Sequence, residues 1–209
     1  MQKKTTRLAV VVVLAALGLA ACGKSGEEQK STAVDQQELV NSINSFLSTA
    51  EKTCIPMPVR FGEPVDEKYE ALTAPNGAQL AALVKAGLVQ VGPVEGEAGK
   101  VQFTVTEDGT NFYTGLTEPA GPGFCSGTLE VDKVAEDKVA EETSNYSRHS
   151  LSYTYKIANP APWQTNADVL AQFPKFAELV NGAGTAKLSS DVENRGKGWN
   201  VVEASAFSN

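Results

Sequence analysis

The sequence has one histidine among 209 residues, His149, and only three cysteines. Zinc sites are built from His and Cys ligands, and Ser-His-Asp triads need a histidine, so the sequence has few residues for a metal centre or a hydrolytic triad. Basic residues are also scarce, since 18 Lys and Arg stand against 25 Asp and Glu, for a net charge of −7. Nucleic acids and anionic lipids require a basic surface, so this balance disfavours both as partners. Aromatic residues make up 7% of the chain and no long repeat is present, which argues against a solenoid or a membrane barrel.

No apolar run in the sequence is long enough to span a membrane. The longest, residues 8–21, has 14 residues, whereas a membrane-spanning helix needs about 20. Lys3, Lys4 and Arg7 precede this run, and small residues close it. A basic segment, a short apolar segment and small residues in that order are typical of a secretion signal. We therefore expect residues 1–21 to be a signal peptide.

The end of this segment, Leu19-Ala20-Ala21-Cys22, resembles the lipobox of bacterial lipoproteins. The resemblance implies cleavage before Cys22, a diacylglycerol thioether on its sulfur and several fatty acyl chains such as palmitate. Two or more chains give stable membrane anchoring. Gly23 stands where inner-membrane lipoproteins of Gram-negative bacteria carry aspartate, and this favours the periplasmic leaflet of the outer membrane. A plain secretory signal, with Cys22 as an ordinary core thiol, is the alternative.

Residues 22–33 predict a flexible tether, because positions 23–32 carry no apolar side chain. Loss of residues 1–21 removes three basic residues and no acidic one, which leaves 15 basic against 25 acidic residues and a net charge of −10. Cys54 and Cys125 then remain, and an even pair in an exported chain predicts a disulfide. This disulfide would close a loop of 71 residues (125 − 54). A loop of that length gives about 4 kcal/mol of stabilisation. Two unpaired buried thiols are the alternative.

The first half of the remaining chain alternates helical and strand patterns. The spacing of apolar residues predicts helices at 34–52, 66–72 and 78–86. Alternating polarity predicts strands at 89–91 and 101–105, on either side of an acidic, glycine-rich turn.

This succession of short helix, the helix QLAALVKAGLV, a two-stranded wing and VTEDGTNFY resembles the winged-helix arrangement. It covers residues 34–114, and we assign 34–116 to a helical, winged-helix-like domain. Winged helices most often bind DNA, but here the corresponding recognition helix offers only Lys85, and Glu95 and Glu97 at the wing tip would repel phosphate. The resemblance therefore implies a scaffold for protein contacts.

The second half predicts a small antiparallel sheet. Residues 117–123 are rich in proline and glycine and form the best domain boundary. Four strand patterns follow, at 124–134, 150–157, 185–188 and 198–202. A helix at 167–181, which Pro174 kinks or restarts, lies between the second and the third. We thus expect an α+β protein, in which the winged-helix-like half is followed by a sheet domain over 124–205 that one helix covers.

The sequence contains few candidates for catalytic or metal-binding residues. The segments YTYKI, PAPW and FPKF and a terminal GW resemble uncharacterised bacterial lipoproteins, and that resemblance implies no catalytic residues. His149 would need distant carboxylates to act as a base, and a solvated residue at the start of a strand is the preferred interpretation. We therefore expect no enzymatic activity, no metal and no cofactor.

Aromatic residues are the best candidates for binding. Trp163 follows the stiff segment Asn-Pro-Ala-Pro at a strand end, and loops on rigid scaffolds often carry binding groups. Tyr153 and Tyr155 lie on one face of the same strand, with core packing as the preferred explanation. The resulting expectation is a non-enzymatic lipoprotein that is held at the membrane by its lipid and binds or scaffolds another envelope protein. The alternative is a small-ligand module with its site between the two halves, around Trp163.

Mass spectrometry of the native protein tests the anchor. We expect the chain to begin at Cys22 with an acylated sulfur, because the signal pattern ends there. A chain that still begins at Met1, or a Cys22 without lipid, would contradict the predicted anchor.

Overall fold

The computed structural model describes residues 36–49, 53–68, 76–115 and 121–204. The predicted signal peptide, the tether and Cys22 lie outside these residues, as does most of the helix predicted at 66–72. Strands dominate the described part of the chain and form three antiparallel sheets.

Helices and strands of the described residues have the following bounds. The helices are α1 (Gln36–Thr49), α2 (Asn76–Lys85), α3 (Ala167–Gln172) and α4 (Pro174–Gly182). The strands are β1 (Cys54–Pro56), β2 (Val65–Asp66), β3 (Val89–Pro93), β4 (Lys100–Val105), β5 (Tyr113–Gly115), β6 (Pro122–Cys125), β7 (Thr128–Thr143), β8 (Tyr146–Ala158), β9 (Lys187–Asn194) and β10 (Trp199–Ala204). Two single turns of 3₁₀ helix span Gly109–Asn111 and Pro162–Thr165.

One of the three sheets has four strands, and the other two have three each. The large sheet has the strand order β10-β9-β8-β7, the disulfide sheet has the order β1-β6-β5, and the small sheet has the order β2-β4-β3. In the disulfide sheet, Cys54 lies directly opposite Cys125 and is bonded to it. The predicted disulfide is therefore confirmed, and it joins two strands that are 71 residues apart in the chain.

The predicted α+β fold, with a helical, winged-helix-like N-terminal half, is wrong. The described residues before position 116 contribute five strands and two helices, and the two helices belong to different cores. Helix α1 packs on the large sheet against β7, β9 and β10, whereas α2 packs against α3. A periodic apolar stripe shows which face of a helix is buried, but it does not show which surface covers that face.

Helix α1 owes its position to residues spaced four apart. Leu39, Ile43 and Leu47 share one face of the helix and are all buried. They lie in the second core, between α1 and the large sheet, together with Tyr153 and Tyr155 of β8. The sheet therefore has one face covered by α1 and one polar face.

Two polar side chains fix α1 on the sheet. Asn44 Oδ1 accepts a hydrogen bond from the backbone N–H of Val131, with an N···O distance of 2.8 Å. At the other edge of the sheet, Ser42 Oγ donates to the carbonyl of Trp199 at 3.1 Å. The helix is thus tied to both edge strands, β7 and β10.

Edge strand β7 is 16 residues long and irregular. Its pairing with β8 shifts at three places, between Val131 and Lys133, between Val134 and Glu136, and between Val139 and Glu141. An extra residue at a bulge bends the strand and increases its twist. The outer edge of β7 is therefore twisted and lined with charge.

The chain passes from the disulfide sheet to the large sheet within two residues, Ser126 and Gly127. The single strand predicted at 124–134 is consequently divided into β6 and β7. Gly127 has a φ of +65°, and a Cβ there would collide with the carbonyl oxygen of Ala158. A residue with a side chain would not fit, so glycine is required at this switch.

Hydrogen bonds secure this junction. The Ser126 N–H donates to the carbonyl of Thr53 at 2.9 Å, and Thr53 Oγ1 donates to the carbonyl of Gly127 at 2.9 Å. Ser126 Oγ donates to Gln164 Oε1 at 2.6 Å and accepts from the Ala161 N–H at 2.9 Å. Ser126 is fully buried, so water competes little for its hydroxyl, and the bonds of that hydroxyl attach the loop at 159–166 to the junction.

The apolar side chains of the described residues form two cores. The first core gathers residues of the disulfide and small sheets with α2, α3 and α4, and includes Phe103, Phe124 and Trp163. Helix α4 contributes to both cores, with Phe176 in the first and Leu179 in the second. It begins at Pro174, where the sequence pattern predicts a kink or restart.

Unfolding of an Ile43→Ala variant tests the docking of α1 on the large sheet. Ile43 is completely buried, so its truncation is expected to lower the free energy of unfolding by about 2–5 kcal/mol in urea denaturation. Ser45→Ala, on the exposed face of the same helix, is the control and is expected to change stability by less than about 0.5 kcal/mol. If Ile43→Ala and Ser45→Ala lower the free energy of unfolding by the same small amount, the packing of α1 on the large sheet is contradicted.

Candidate functional site

Trp163 sits at the start of the loop that leaves β8. Its ring is buried in the first core, stacked on Phe176 with ring centroids 5.3 Å apart and in edge contact with Phe112 at 6.4 Å. The 3₁₀ turn Pro162–Thr165 begins with proline, whose fixed φ suits that position. Its indole Nε1 is enclosed and has no hydrogen-bond acceptor among the described residues.

A groove of about 560 Å³ lies beside Trp163. Its walls come from three separate segments, which are the turn at 86–88 after α2, residues 108–112 and residues 162–166. Leu88 and Trp163 are buried and Phe112 is half-buried, and they form an apolar floor. We call this feature the Trp163 groove.

The rim of the Trp163 groove is polar. It consists of Asp108, Asn111, Thr165 and Asn166. Asp108, Asn111 and Thr165 are exposed, and Asn166 is half-buried. An apolar floor under a few polar groups is the usual construction of a small-molecule site.

Thr106 joins two walls of the groove. Its Oγ1 donates to the carbonyl of Gly87 at 2.6 Å and accepts from the Gly109 N–H at 2.8 Å. Its backbone N–H donates to the carbonyl of Leu88 at 3.1 Å. Gly109 must be glycine, because a Cβ there would collide with the Leu88 carbonyl oxygen. The segment VTEDG therefore builds a groove wall.

The third wall is fixed by Asn166, the N-cap of α3. Its Oδ1 accepts from the backbone N–H groups of Asp168 at 3.0 Å and Val169 at 3.2 Å. Such a cap satisfies donors that the first turn of a helix leaves free. Beside the groove, Lys85 Nζ lies 3.2 Å from Asp168 Oδ1 and so links α2 to α3.

The structure does not bring Tyr153 and Tyr155 together with Trp163. Both tyrosines are buried in the second core, under α1. The Tyr153 hydroxyl pairs with Ser190 Oγ at 2.9 Å, and the Tyr155 hydroxyl donates to the carbonyl of Leu179 at 2.7 Å. Burial raises the pKa of Tyr153, and it raises the pKa of Tyr155 to about 12. These hydroxyls therefore stay protonated and act as core hydrogen-bonding groups.

His149 is buried, although the sequence favours a solvated position. Its Nδ1 lies 2.7 Å from Asp137 Oδ1, and its ring meets the Trp199 ring edge to face at 5.2 Å. His149 Nε2 is enclosed and has no partner among the described residues. The signal for this burial is the alternation of β8, since His149 continues the core-facing series of Leu151 and Tyr153.

The exposed face of the large sheet carries a fixed charge network. Asp191 accepts hydrogen bonds from Ser150 Oγ and from Arg148, whose Nη2 is 2.5 Å from Asp191 Oδ2. Glu203 lies 3.7 Å from the same guanidinium. The Ser150 hydrogen bond, with the Arg148 hydrogen bond and charge, holds the pKa of Asp191 below its usual value.

A second network adjoins the first at the end of β9. Arg195 donates to both oxygens of Glu193, at 2.7 and 3.0 Å, and lies over the Tyr146 ring at 5.1 Å. The Tyr146 hydroxyl donates to Glu193 Oε2 at 3.1 Å. These contacts, led by the Arg195 hydrogen bonds, lower the pKa of Glu193. Arg195 is thus bound to a carboxylate of its own chain.

The described part of the chain contains neither a metal-binding cluster nor a helix that could span a membrane. No three His, Cys, Asp or Glu residues within 36–49, 53–68, 76–115 and 121–204 are arranged to hold a metal ion. No helix in those ranges has the length and apolarity to cross a bilayer. Cys22, the predicted lipid site, precedes the first of them.

Comparison with known proteins leaves the geometry as the guide to function. No family model matches the chain, and no curated protein or solved structure is significantly similar to it.

The Asp191 network predicts a pH-dependent contribution to stability. Because the pKa of Asp191 is lowered on folding, its contribution is present above the unfolded-state value of about 3.8 and is lost as the pH falls through the folded-state value. Thermal unfolding of wild type and Asp191→Asn is therefore expected to differ most near neutral pH and to converge in acid. Glu142→Gln, which removes an exposed carboxylate of the same sheet, is the control. If the difference in melting temperature between wild type and Asp191→Asn stays the same from pH 7 to pH 2, the predicted pH dependence is contradicted.

Proposed function

We propose that the protein is an exported, lipid-anchored envelope protein whose folded part binds a small ligand in the Trp163 groove. The observation that carries the ligand proposal is the groove itself, with its apolar floor and polar rim. Its volume of about 560 Å³ falls within the range of roughly 300–1,000 Å³ that small-molecule sites occupy. The proposal assigns the protein no catalytic role.

The groove is held in shape by the protein's own hydrogen bonds. Thr106 ties the turn after α2 to residues 108–112, and Asn166 caps α3 behind the third wall. Ser126 attaches the loop that carries Trp163 to the junction between sheets. A site that is already ordered loses little conformational entropy when a ligand binds, which favours affinity.

Two observations support the export and anchoring part of the proposal. The sequence Leu19-Ala20-Ala21-Cys22 follows a short apolar segment, as a lipoprotein signal requires. The Cys54–Cys125 disulfide suits an oxidising compartment outside the cytosol. Gly23 favours the periplasmic leaflet of the outer membrane as the site of attachment.

Binding of another envelope protein is a second candidate, and the exposed face of the large sheet favours it. Arg148 and Asp191 form a half-buried ion pair there, and Glu203 lies 3.7 Å from the same guanidinium. Charged side chains that are already ordered lose less entropy in an interface than free ones. Chemical crosslinking in intact envelopes is expected to yield a reproducible partner that Arg148→Ala weakens. Failure to recover a reproducible crosslinked partner would count against this candidate.

Fluorescence titration tests the ligand site. Trp163 is the single tryptophan in a Trp199→Phe variant, so its emission reports on the groove. The probes are three ring-sized compounds of different charge: phenethylamine, phenethyl alcohol and 3-phenylpropionate. We expect at least one of them to change the emission saturably.

Two further substitutions in that background locate the binding. Thr165→Phe places a ring in the groove and is expected to abolish the response. Asn181→Phe adds the same ring at an exposed position of α4 and is expected to leave it unchanged. No saturable response to any of the three probes would overturn the proposed ligand site.

A further inference from the structure

The geometry points to a cationic ligand for the Trp163 groove, namely a compact molecule that carries a primary amine on a ring-sized apolar body. This inference rests on the proposed ligand site and adds the chemical class of the ligand. Charge, hydrogen-bonding capacity and the shape of the groove each bear on it.

Asp108 supplies the charge. It is exposed, and among the described residues that line the groove it is the single ionisable side chain. Its carboxylate makes no hydrogen bond to the 3₁₀ turn that it precedes, and it has no ion-pair partner within the described ranges. A carboxylate that is not neutralised by its own protein is available to a cation in the groove.

The cation nearest in sequence to the groove wall is already neutralised. Lys85, next to the turn at 86–88, has its Nζ 3.2 Å from Asp168 Oδ1. An anionic ligand would therefore meet the Asp108 carboxylate without a free cation among the lining residues. The net charge of −7 acts in the same direction, because a negative protein concentrates cations at its surface.

The rim offers acceptors that match an ammonium group. Asn111 directs its Nδ2 to the carbonyl of Asp108 at 3.3 Å, which leaves its Oδ1 as an acceptor. The Asp108 carboxylate and the Thr165 hydroxyl add further acceptor atoms on the same rim. A primary ammonium has three donors and no acceptor, so it can be satisfied by such a set.

The floor suits an apolar body attached to that ammonium. Leu88, Phe112 and Trp163 form it, and the two aromatic rings are in edge contact. An aromatic ring near an ammonium adds a cation–π attraction, which an anion would not gain. The expected ligand therefore places its ring on the floor and its amine at the Asp108 side of the rim.

The Asp108→Asn variant tests the ligand class with the same probes. We expect wild-type protein to bind phenethylamine more tightly than phenethyl alcohol, and 3-phenylpropionate least. Asp108→Asn is expected to weaken phenethylamine binding about twofold to fivefold, the range of an exposed ion pair, and to leave phenethyl alcohol binding unchanged. Raising the salt concentration is expected to reduce the preference for the amine in wild type.

Glu107→Gln is the matched control. Glu107 is the neighbouring exposed carboxylate, so Glu107→Gln removes one negative charge, as Asp108→Asn does, but leaves the rim intact. If Glu107→Gln weakens phenethylamine binding as much as Asp108→Asn does, the effect comes from the net charge of the protein and not from the groove. That result would overturn the inference. Equal binding of amine and alcohol, or tightest binding of 3-phenylpropionate, would also overturn it and leave the ligand site standing. Absence of binding by all three probes would overturn the ligand site itself.

Discussion

The two-residue passage at Ser126 and Gly127 is the constraint on which the rest of the structure depends. On one side the chain is held by the disulfide between Cys54 and Cys125, and on the other it enters the large sheet. Ser126, fully buried, satisfies the backbone of Thr53 and Ala161 and the side chain of Gln164. A buried polar network of this kind stabilises only when every member is paired. The same contacts that join two sheets therefore also set the position of the loop that carries Trp163.

Helix α4 extends this coupling across both cores. Phe176 stacks on Trp163 in the first core, and one turn later Leu179 lies in the second, where its carbonyl accepts the Tyr155 hydroxyl. The floor of the Trp163 groove is thus continuous with the packing under α1. Because cores are close-packed, a shift of the large sheet would be felt at Trp163. The groove is in this sense a property of the whole described fold and not of one loop.

Much of the local structure is predictable from sequence, and the long-range arrangement is not. The four-residue spacing of Leu39, Ile43 and Leu47 marks α1, and the parity of the cysteines predicts the Cys54–Cys125 bond. The winged-helix resemblance fails because apolar periodicity does not specify the partner surface, which for α1 comes from strands some 90 to 160 residues later. Trp163 can be singled out as a loop tryptophan. Its groove cannot, because the walls come from three distant segments and depend on the side-chain bonds of Thr106.

Strand β7 leaves a 16-residue open edge on the large sheet, a length that would ordinarily invite strands of neighbouring molecules to add on. Its irregularities remove that hazard. Three interruptions spoil any continuous register, Lys133 and Glu136 follow two of them, and the Asn44 side chain already occupies the amide of Val131. Fibril growth requires an unbroken row of backbone partners, which this edge does not offer. Edge-to-edge pairing of two copies of the protein along β7 is accordingly disfavoured.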